Sequence, residues 1–555
     1  PSLTLNTTAV FNFSSNEGSA SFECSLDQAV PSFSSCPHSV TFENLDVDGY
    51  SYDYRENDRV PRVTLGFDPS DPANWATEPG SSALNIDQYR VENTFDTGKL
   101  DLSYEVNDGL RIKVGADIRK FEFDSDQRMR VASETDVEVL TPQQLADLSI
   151  IADGYGQGMD LPSGAPTAWL VPDVDAYAQA FNIYSNTGLY QLGSIEQSDA
   201  RGGNFAVEEE DVGQYVQGEF ELDVFGRTLR GDIGVRHVRT EQHSTGFAAV
   251  GDTVQLVSAE RSYSKTLPSL NLTYELSDIF LMRFGAAKTM ARPGLGSLTP
   301  GGDISVQGGN RSYETGNPDL KPTQSDNLDL SFELYPSQGS LYALGLFYKD
   351  ISTFAQTLRT TRPFNTLGLP EELLEGTIAL PTDDFEVTQP VNSDGGELKG
   401  FEVSMQQPLR FLPGWLSNFG VLANYTYVDS DIDYLTSDEP GEPTITATLV
   451  GLSKHAANAT LYYEDRAFSI RGSAAYRSGY LTQIPGRNRN FEQGTNSTLN
   501  VDMRASYDFT EHMQVSVEAI NLTDEFEDRY VDVSDRPWVH GHTGREYFLG
   551  LRYKF

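Results

Sequence analysis

Apolar and polar residues alternate one for one through much of this chain. Leu100, Leu102, Tyr104 and Val106 alternate with Lys99, Asp101, Ser103 and Glu105. Ile112, Val114, Ala116 and Ile118 do the same with Arg111, Lys113, Gly115 and Asp117. The pattern returns at 216–223, 270–276 and 328–334. It closes the chain with Tyr547, Leu549, Leu551, Tyr553 and Phe555 on one face. A period of two puts successive side chains on opposite faces of a strand, so each segment predicts a strand with one apolar and one polar face. The polar positions are charged as often as neutral, which the dry core of a β-sandwich would not tolerate. An apolar face towards lipid and a polar face towards a lumen is how a strand crosses a bilayer in a closed barrel.

The strands come in pairs joined by short turns. Examples are Asn107-Asp108-Gly109, Phe225-Gly226-Arg227-Thr228 and Pro336-Ser337-Gln338-Gly339. Long polar segments separate the pairs, at 133–210, 291–322, 355–395 and 430–453. Short turns at one end and long loops at the other are the asymmetry of an outer-membrane barrel. The spacing predicts about 15 strands across 85–555, each of about ten residues. Residues 1–84 are expected to form an extracellular loop region. Single-chain bacterial barrels normally have an even strand number. An odd count therefore raises the expectation that further strands lie outside this sequence. The fold class is all-β, a transmembrane antiparallel barrel.

Composition narrows the partners. Asp and Glu number 81 against 40 Lys and Arg, a formal charge of -41. That balance argues against nucleic acid, which requires clustered cations. There is no apolar run of roughly 18 residues for a transmembrane helix, and barrel strands need none. Cys24 and Cys36 are the 2 cysteines. In an oxidising compartment they are expected to form a disulfide, with two free thiols as the alternative.

Several segments resemble the C-terminal barrel of TonB-dependent outer-membrane receptors, of the large-loop type found in Caulobacter- and Xanthomonas-like bacteria. They are Lys288-Thr289-Met290-Ala291-Arg292-Pro293, Gly316-Asn317-Pro318-Asp319-Leu320-Lys321-Pro322 with Ser325 to Glu333, and Lys399-Gly400-Phe401-Glu402. Asn521-Leu522-Thr523-Asp524, Gly544 to Phe555 and Asp71-Pro72-Ala73-Asn74-Trp75 complete the set. The resemblance implies a 22-stranded barrel filled by a plug. It also implies energy delivered to that plug by the TonB complex. No plug-like or TonB-box-like segment is found in this sequence. The implied function is active uptake of a scarce nutrient, whether siderophore-iron, cobalamin or an oligosaccharide. A passive porin or surface adhesin is the alternative. Residues 1–56 also resemble an Ig-like repeat of secreted bacterial proteins, in which the two cysteines pair; an ordinary extracellular loop fits them as well.

No catalytic constellation, phosphate loop or nucleophile elbow is present, so no enzyme and no cofactor are expected. Trp75, Trp169 and Trp538 fall in outer loops and could stack on a ligand or pack the loops together. Arg292, Arg311 and Lys321 could meet an anionic ligand. Glu208-Glu209-Glu210-Asp211 and Asp429, Asp431 and Asp433 could hold Ca²⁺, and the bland alternative is a solvated rim. His540-Gly541-His542 with Asp535 could bind a metal, though a solvated loop fits it equally. Expected partners are outer-membrane lipid and lipopolysaccharide, the barrel-assembly machinery and a small nutrient. The terminal strand resembles the segment that machinery recognises, an apolar strand offered for β-augmentation. Deleting Phe555, or Phe555→Ala, is expected to lower the amount of heat-modifiable barrel in the outer membrane. Unchanged band intensity on a gel would refute this role.

Overall fold

The computed structural model describes residues 8–12, 23–24, 34–35, 39–43, 50–55, 59–80, 82–194, 200–250, 253–305, 311–374, 379–437, 444–487 and 490–555. They form two units, residues 1–84 with 134–190, and residues 85–133 with 191–555. In the first unit, Tyr50–Asp53 pairs with Arg62–Leu65 and Ser149–Ala152 with Trp169–Pro172. A helix at Pro142–Asp147 starts with a capping box, in which Thr141 and Gln144 bond reciprocally. Cys36 lies outside the described residues, and with it the expected disulfide and most of the Ig-like segment.

The second unit is a meander of long strands. They are β1 (Asp87–Asn107), β2 (Leu110–Arg130), β3 (Phe205–Val224), β4 (Arg227–Val250) and β5 (Thr253–Ser277). Next come β6 (Phe280–Ala291), β7 (Thr323–Leu334), β8 (Leu341–Pro363), β9 (Gly395–Pro408) and β10 (Phe419–Leu435). Last are β11 (His455–Glu464), β12 (Phe468–Arg477), β13 (Thr498–Asp508), β14 (Met513–Ile520) and β15 (Glu546–Tyr553). Each pairs antiparallel with the next in sequence. Among the described residues β1 pairs only with β2 and β15 only with β14, so the sheet is open between them.

The expected turns sit at one end. The tightest joins β3 to β4 through Phe225 and Gly226, at φ 55° and 74°. Both central residues are left-handed, the geometry that matches strand twist in a two-residue hairpin, and Gly226 adopts it without strain. The Asp223 carboxylate accepts the Gly226 N–H at 3.0 Å. At the opposite end, two small sheets crown the barrel. One joins Gly302–Ser305, Ser312–Thr315, Asp384–Ser393 and the upper half of β8. The other joins Tyr480–Gln483, Gln493–Thr495, Phe526–Val531 and Arg536–His542. Parts of the segments expected to be loops, around 355–363 and 430–435, are therefore continuous strand.

Register fixes which face meets lipid. Val114 pairs with Val216, Ile112 with Gly218, and Val216 in turn with Val235. Ile233 pairs with Leu270, and Leu270 with Ala286. On β3 the outward apolar positions run from Leu222 up to Val212. Ten residues at roughly 3.3 Å each, tilted by about 40°, span about 25 Å, the height of an apolar barrel band. Above that level the alternation inverts. Lys120, Glu122, Glu208, Glu210 and Glu241 stand on the face that carried Ile118 and Val212. Phe121, Phe123, Phe205 and Val207 stand on the lumen face. The strands have left lipid there, so outward residues meet water and inward ones pack under loops. The terminal face reads as expected: Tyr547, Leu549 and Leu551 pair in register with Ala519, Val517 and Val515.

Ile233→Arg places a charge in the middle of this band and is expected to destabilise the barrel by about 2–4 kcal/mol. Glu241→Arg, above the inversion, should change stability by less than about 1 kcal/mol. Urea unfolding of the full-length protein in lipid vesicles compares the two. Equal costs would mean the band is misplaced.

Candidate functional site

Between β6 and β7, residues 292–305 and 311–322 turn back towards the barrel mouth, and they dock on its inner wall through Arg292, Leu298 and 318–320. Their first anchor is Arg292. The guanidinium lies 2.8 Å from Glu209, also pairs with Asp211, and sits 4.8 Å above the centre of the Phe121 ring. Both carboxylates are almost fully buried, at 3% and 5% side-chain exposure. Buried charges survive only when paired and hydrogen-bonded. Asp211 takes a further bond from the Thr240 hydroxyl at 2.5 Å. Tyr263 completes this wall, with Arg261 over its ring at 5.1 Å.

The Asn317-Pro318-Asp319-Leu320-Lys321 stretch is the second anchor. Gln242 donates to the Pro318 carbonyl at 3.1 Å and Arg261 to the Leu320 carbonyl at 2.5 Å. Leu320 and Leu298 are buried with Val207 against Phe123 and Phe205. On its far side, Asn317 donates to the Pro390 carbonyl at 3.0 Å. Lys321 and Asn392 exchange two bonds, of 2.7 and 3.0 Å. The stretch thus bridges the wall made by β3–β5 and the strand Asp384–Ser393.

The three candidate cations separate here. Arg292 is held by two carboxylates. Arg311 pairs with Asp383 at 2.9 Å, beside a core of Ile304, Phe364 and Phe385. Lys321 is exposed, and its ammonium makes no ion pair among the described residues. Trp75 and Trp169 are engaged within their own loops, and Trp538 meets a residue of the neighbouring one. Trp75 donates to the Pro69 carbonyl at 3.1 Å and meets Phe67 edge-on. Trp169 lies edge-on to Tyr155, and Trp538 carries Arg487 over its ring at 4.7 Å.

Among the acidic candidates, Glu209 and Asp211 are the partners of Arg292, a role that sequence spacing could not show because 81 residues separate Asp211 from Arg292 in the chain. Asp429 pairs with Lys454 at 2.8 Å and Asp433 accepts from Thr446 at 2.6 Å. His540 and His542 both stack on the Phe526 ring, with centroids 5.0 and 4.4 Å away. His542 meets Asp524 at 2.9 Å, while Asp535 accepts from Asn496. Among the described residues no group of three or more His, Cys, Asp or Glu is placed to hold a metal ion.

Two further motifs, one a turn and one within a strand, have structural reasons. Asn521 is left-handed (φ 55°) and its amide bonds Glu525 N–H, the Glu525 carbonyl and the Gly544 carbonyl. It thereby ties the last loop to the start of β15. At Gly400 the Phe347 ring lies directly over the backbone, where a Cβ would collide with it.

The family model described as TonB dependent receptor-like, beta-barrel, matches residues 37–522. An "Iron-regulated outer membrane virulence protein" of Vibrio cholerae serotype O1 is 27% identical over 292 residues, 52% of this chain and 39% of that protein. The siderophore receptor PiuA from Acinetobacter baumannii superposes with a TM-score of 0.51 at 13% identity, covering 84% of this chain and 56% of that one. The ferric citrate transporter FecA gives 0.47 at 13% identity, covering 84% and 55%. The chain therefore spans well under two thirds of the proteins it matches.

Arg292→Ala leaves two buried carboxylates without their cation and is expected to destabilise the docked segment by about 3–5 kcal/mol. Hydrogen exchange at Leu320 and Lys321 reads this directly. Protection equal to wild type would show that the clasp does not hold the segment.

Proposed function

The chain belongs to the TonB-dependent receptor-like β-barrel family, an integral outer-membrane family, and on that premise we propose that the protein takes up a scarce iron chelate from outside the cell. The observation that carries this is the docking of Arg292 and of the Asn317 to Lys321 stretch on the inner wall. It leaves Lys321 exposed at the mouth of a barrel whose lumen face is polar. An exposed ammonium on a fixed backbone is a contact point for an anionic ligand. An iron chelate is preferred to cobalamin or an oligosaccharide because the Vibrio cholerae relative is named iron-regulated. In this proposal Trp538, in the other crown sheet, offers a half-exposed ring for stacking. TonB acts through a plug, as the resemblance implies. The barrel-assembly machinery receives the strand ending in Phe555, and lipid and lipopolysaccharide surround the apolar band.

Deleting the gene should slow growth under iron limitation and abolish uptake of one radiolabelled ferric chelate, with wild-type protein restoring both. Lys321→Ala should raise the half-saturating chelate concentration about threefold to fivefold, the worth of one exposed charge contact. Normal iron uptake in the deletion strain, with loss of cobalamin or oligosaccharide uptake instead, would overturn the iron proposal.

A further inference from the structure

The lumen wall is electrically uneven. On the earlier strands its cations face carboxylates. Arg111 lies 2.6 Å from Glu105, Lys99 2.9 Å from Asp101, Arg119 3.0 Å from Asp117 and Arg283 2.8 Å from Glu333. Lys113 reaches Glu219 and Arg236 reaches Asp117. On β12 and β13 this matching stops. Arg471 stands directly opposite Arg504. Register with Ser473–Asp502 and Ala475–Asn500 places both on the lumen face. Both are exposed, and neither has an ion pair or side-chain hydrogen bond among the described residues. Glu518 neighbours Arg504 across β14, yet lies beyond the 4.0 Å of an ion pair. Tyr462 flanks Arg471 from β11.

Like charges directly opposite on paired strands repel. The chain has twice as many acids as bases, so an unneutralised pair of arginines is not a by-product of composition. Two guanidinium forks side by side match the oxygens of a carboxylate or phosphate, which each fork can grip with two parallel bonds. We infer that Arg471 and Arg504 form an anion station on the lumen wall, which takes a carboxylate- or phosphate-bearing solute on its way through the barrel. That this solute is an anionic iron chelate rests on the uptake proposal; the anion binding itself does not.

The test is arginine labelling of the purified full-length protein by phenylglyoxal, read peptide by peptide by mass spectrometry, with inorganic pyrophosphate as the probe. Arg471 and Arg504 should label quickly, and pyrophosphate should protect both while leaving Arg410, in a turn, unchanged. In Arg471→Gln, protection of Arg504 should need about tenfold more pyrophosphate, the worth of one charge-assisted bond. Fast labelling that pyrophosphate does not slow would overturn the station. Slow labelling before any anion is added would also overturn it, because an acidic protein segment would then be the partner. Protection without any ferric chelate uptake in cells would keep the station and sink the uptake proposal alone.

Discussion

Every peptide group within the hydrocarbon layer needs a partner from the protein, since lipid supplies none. The continuous antiparallel ladder from β1 to β15 meets that demand at each internal strand. It also dictates the rest. Once the backbone is committed to a ladder, side chains have only two directions, out to lipid or in to the lumen. The same constraint makes the two outer edges, on β1 and β15, the places where the described ladder is unfinished. Within a membrane those edges require pairing, and isolated apolar side chains such as Leu102 and Leu549 cannot substitute for it.

The charge distribution follows from this two-sided design. Carboxylates are excluded from the outer band, so they collect on the lumen wall, the turns and the extramembrane strands. Where they meet arginine in a buried place, as Glu209 and Asp211 meet Arg292, they fasten a loop. The turn at Asp465 shows the exposed version. Its carboxylate accepts the Ala467 and Phe468 N–H groups and the Tyr463 hydroxyl, and those bonds hold it below the usual carboxylate range. A depressed acid of this kind supports the turn above its unfolded titration range and loses that support as the pH falls through the folded one.

The membrane-spanning half of the fold was legible in the sequence because period two is a local signal. The alternation at 100–106, 112–118 and 328–334 gave strands, faces and turn ends. Register added the partners. The strand tops were harder, since at 119–123 the alternation continues with its faces exchanged. Along β2 the apolar residues step from Ile118 to Phe121, so the apolar period breaks although the strand does not. The candidate site was less legible still. The Asn317 to Lys321 stretch stood out as a motif, but its anchors Gln242 and Arg261 lie on other strands. Arg292 and Lys321 look alike in sequence; only burial tells the clasp from the free ammonium. Asn521 and Gly400 were visible as motif members, and their reasons are a left-handed turn and a ring laid on bare backbone.

The exchange of faces along single strands has one more consequence. A slip of one residue of β3 along β2 would push Glu219 towards lipid, and by the same movement turn Val207 towards open water. One error is penalised in two different solvents at once. Alignment is therefore checked twice along the length of each tall strand, below the membrane surface and above it. The short strands β11 to β15 have only the first check. Their alignment depends more on their turns, and on the asparagine that ties the last loop to the final strand.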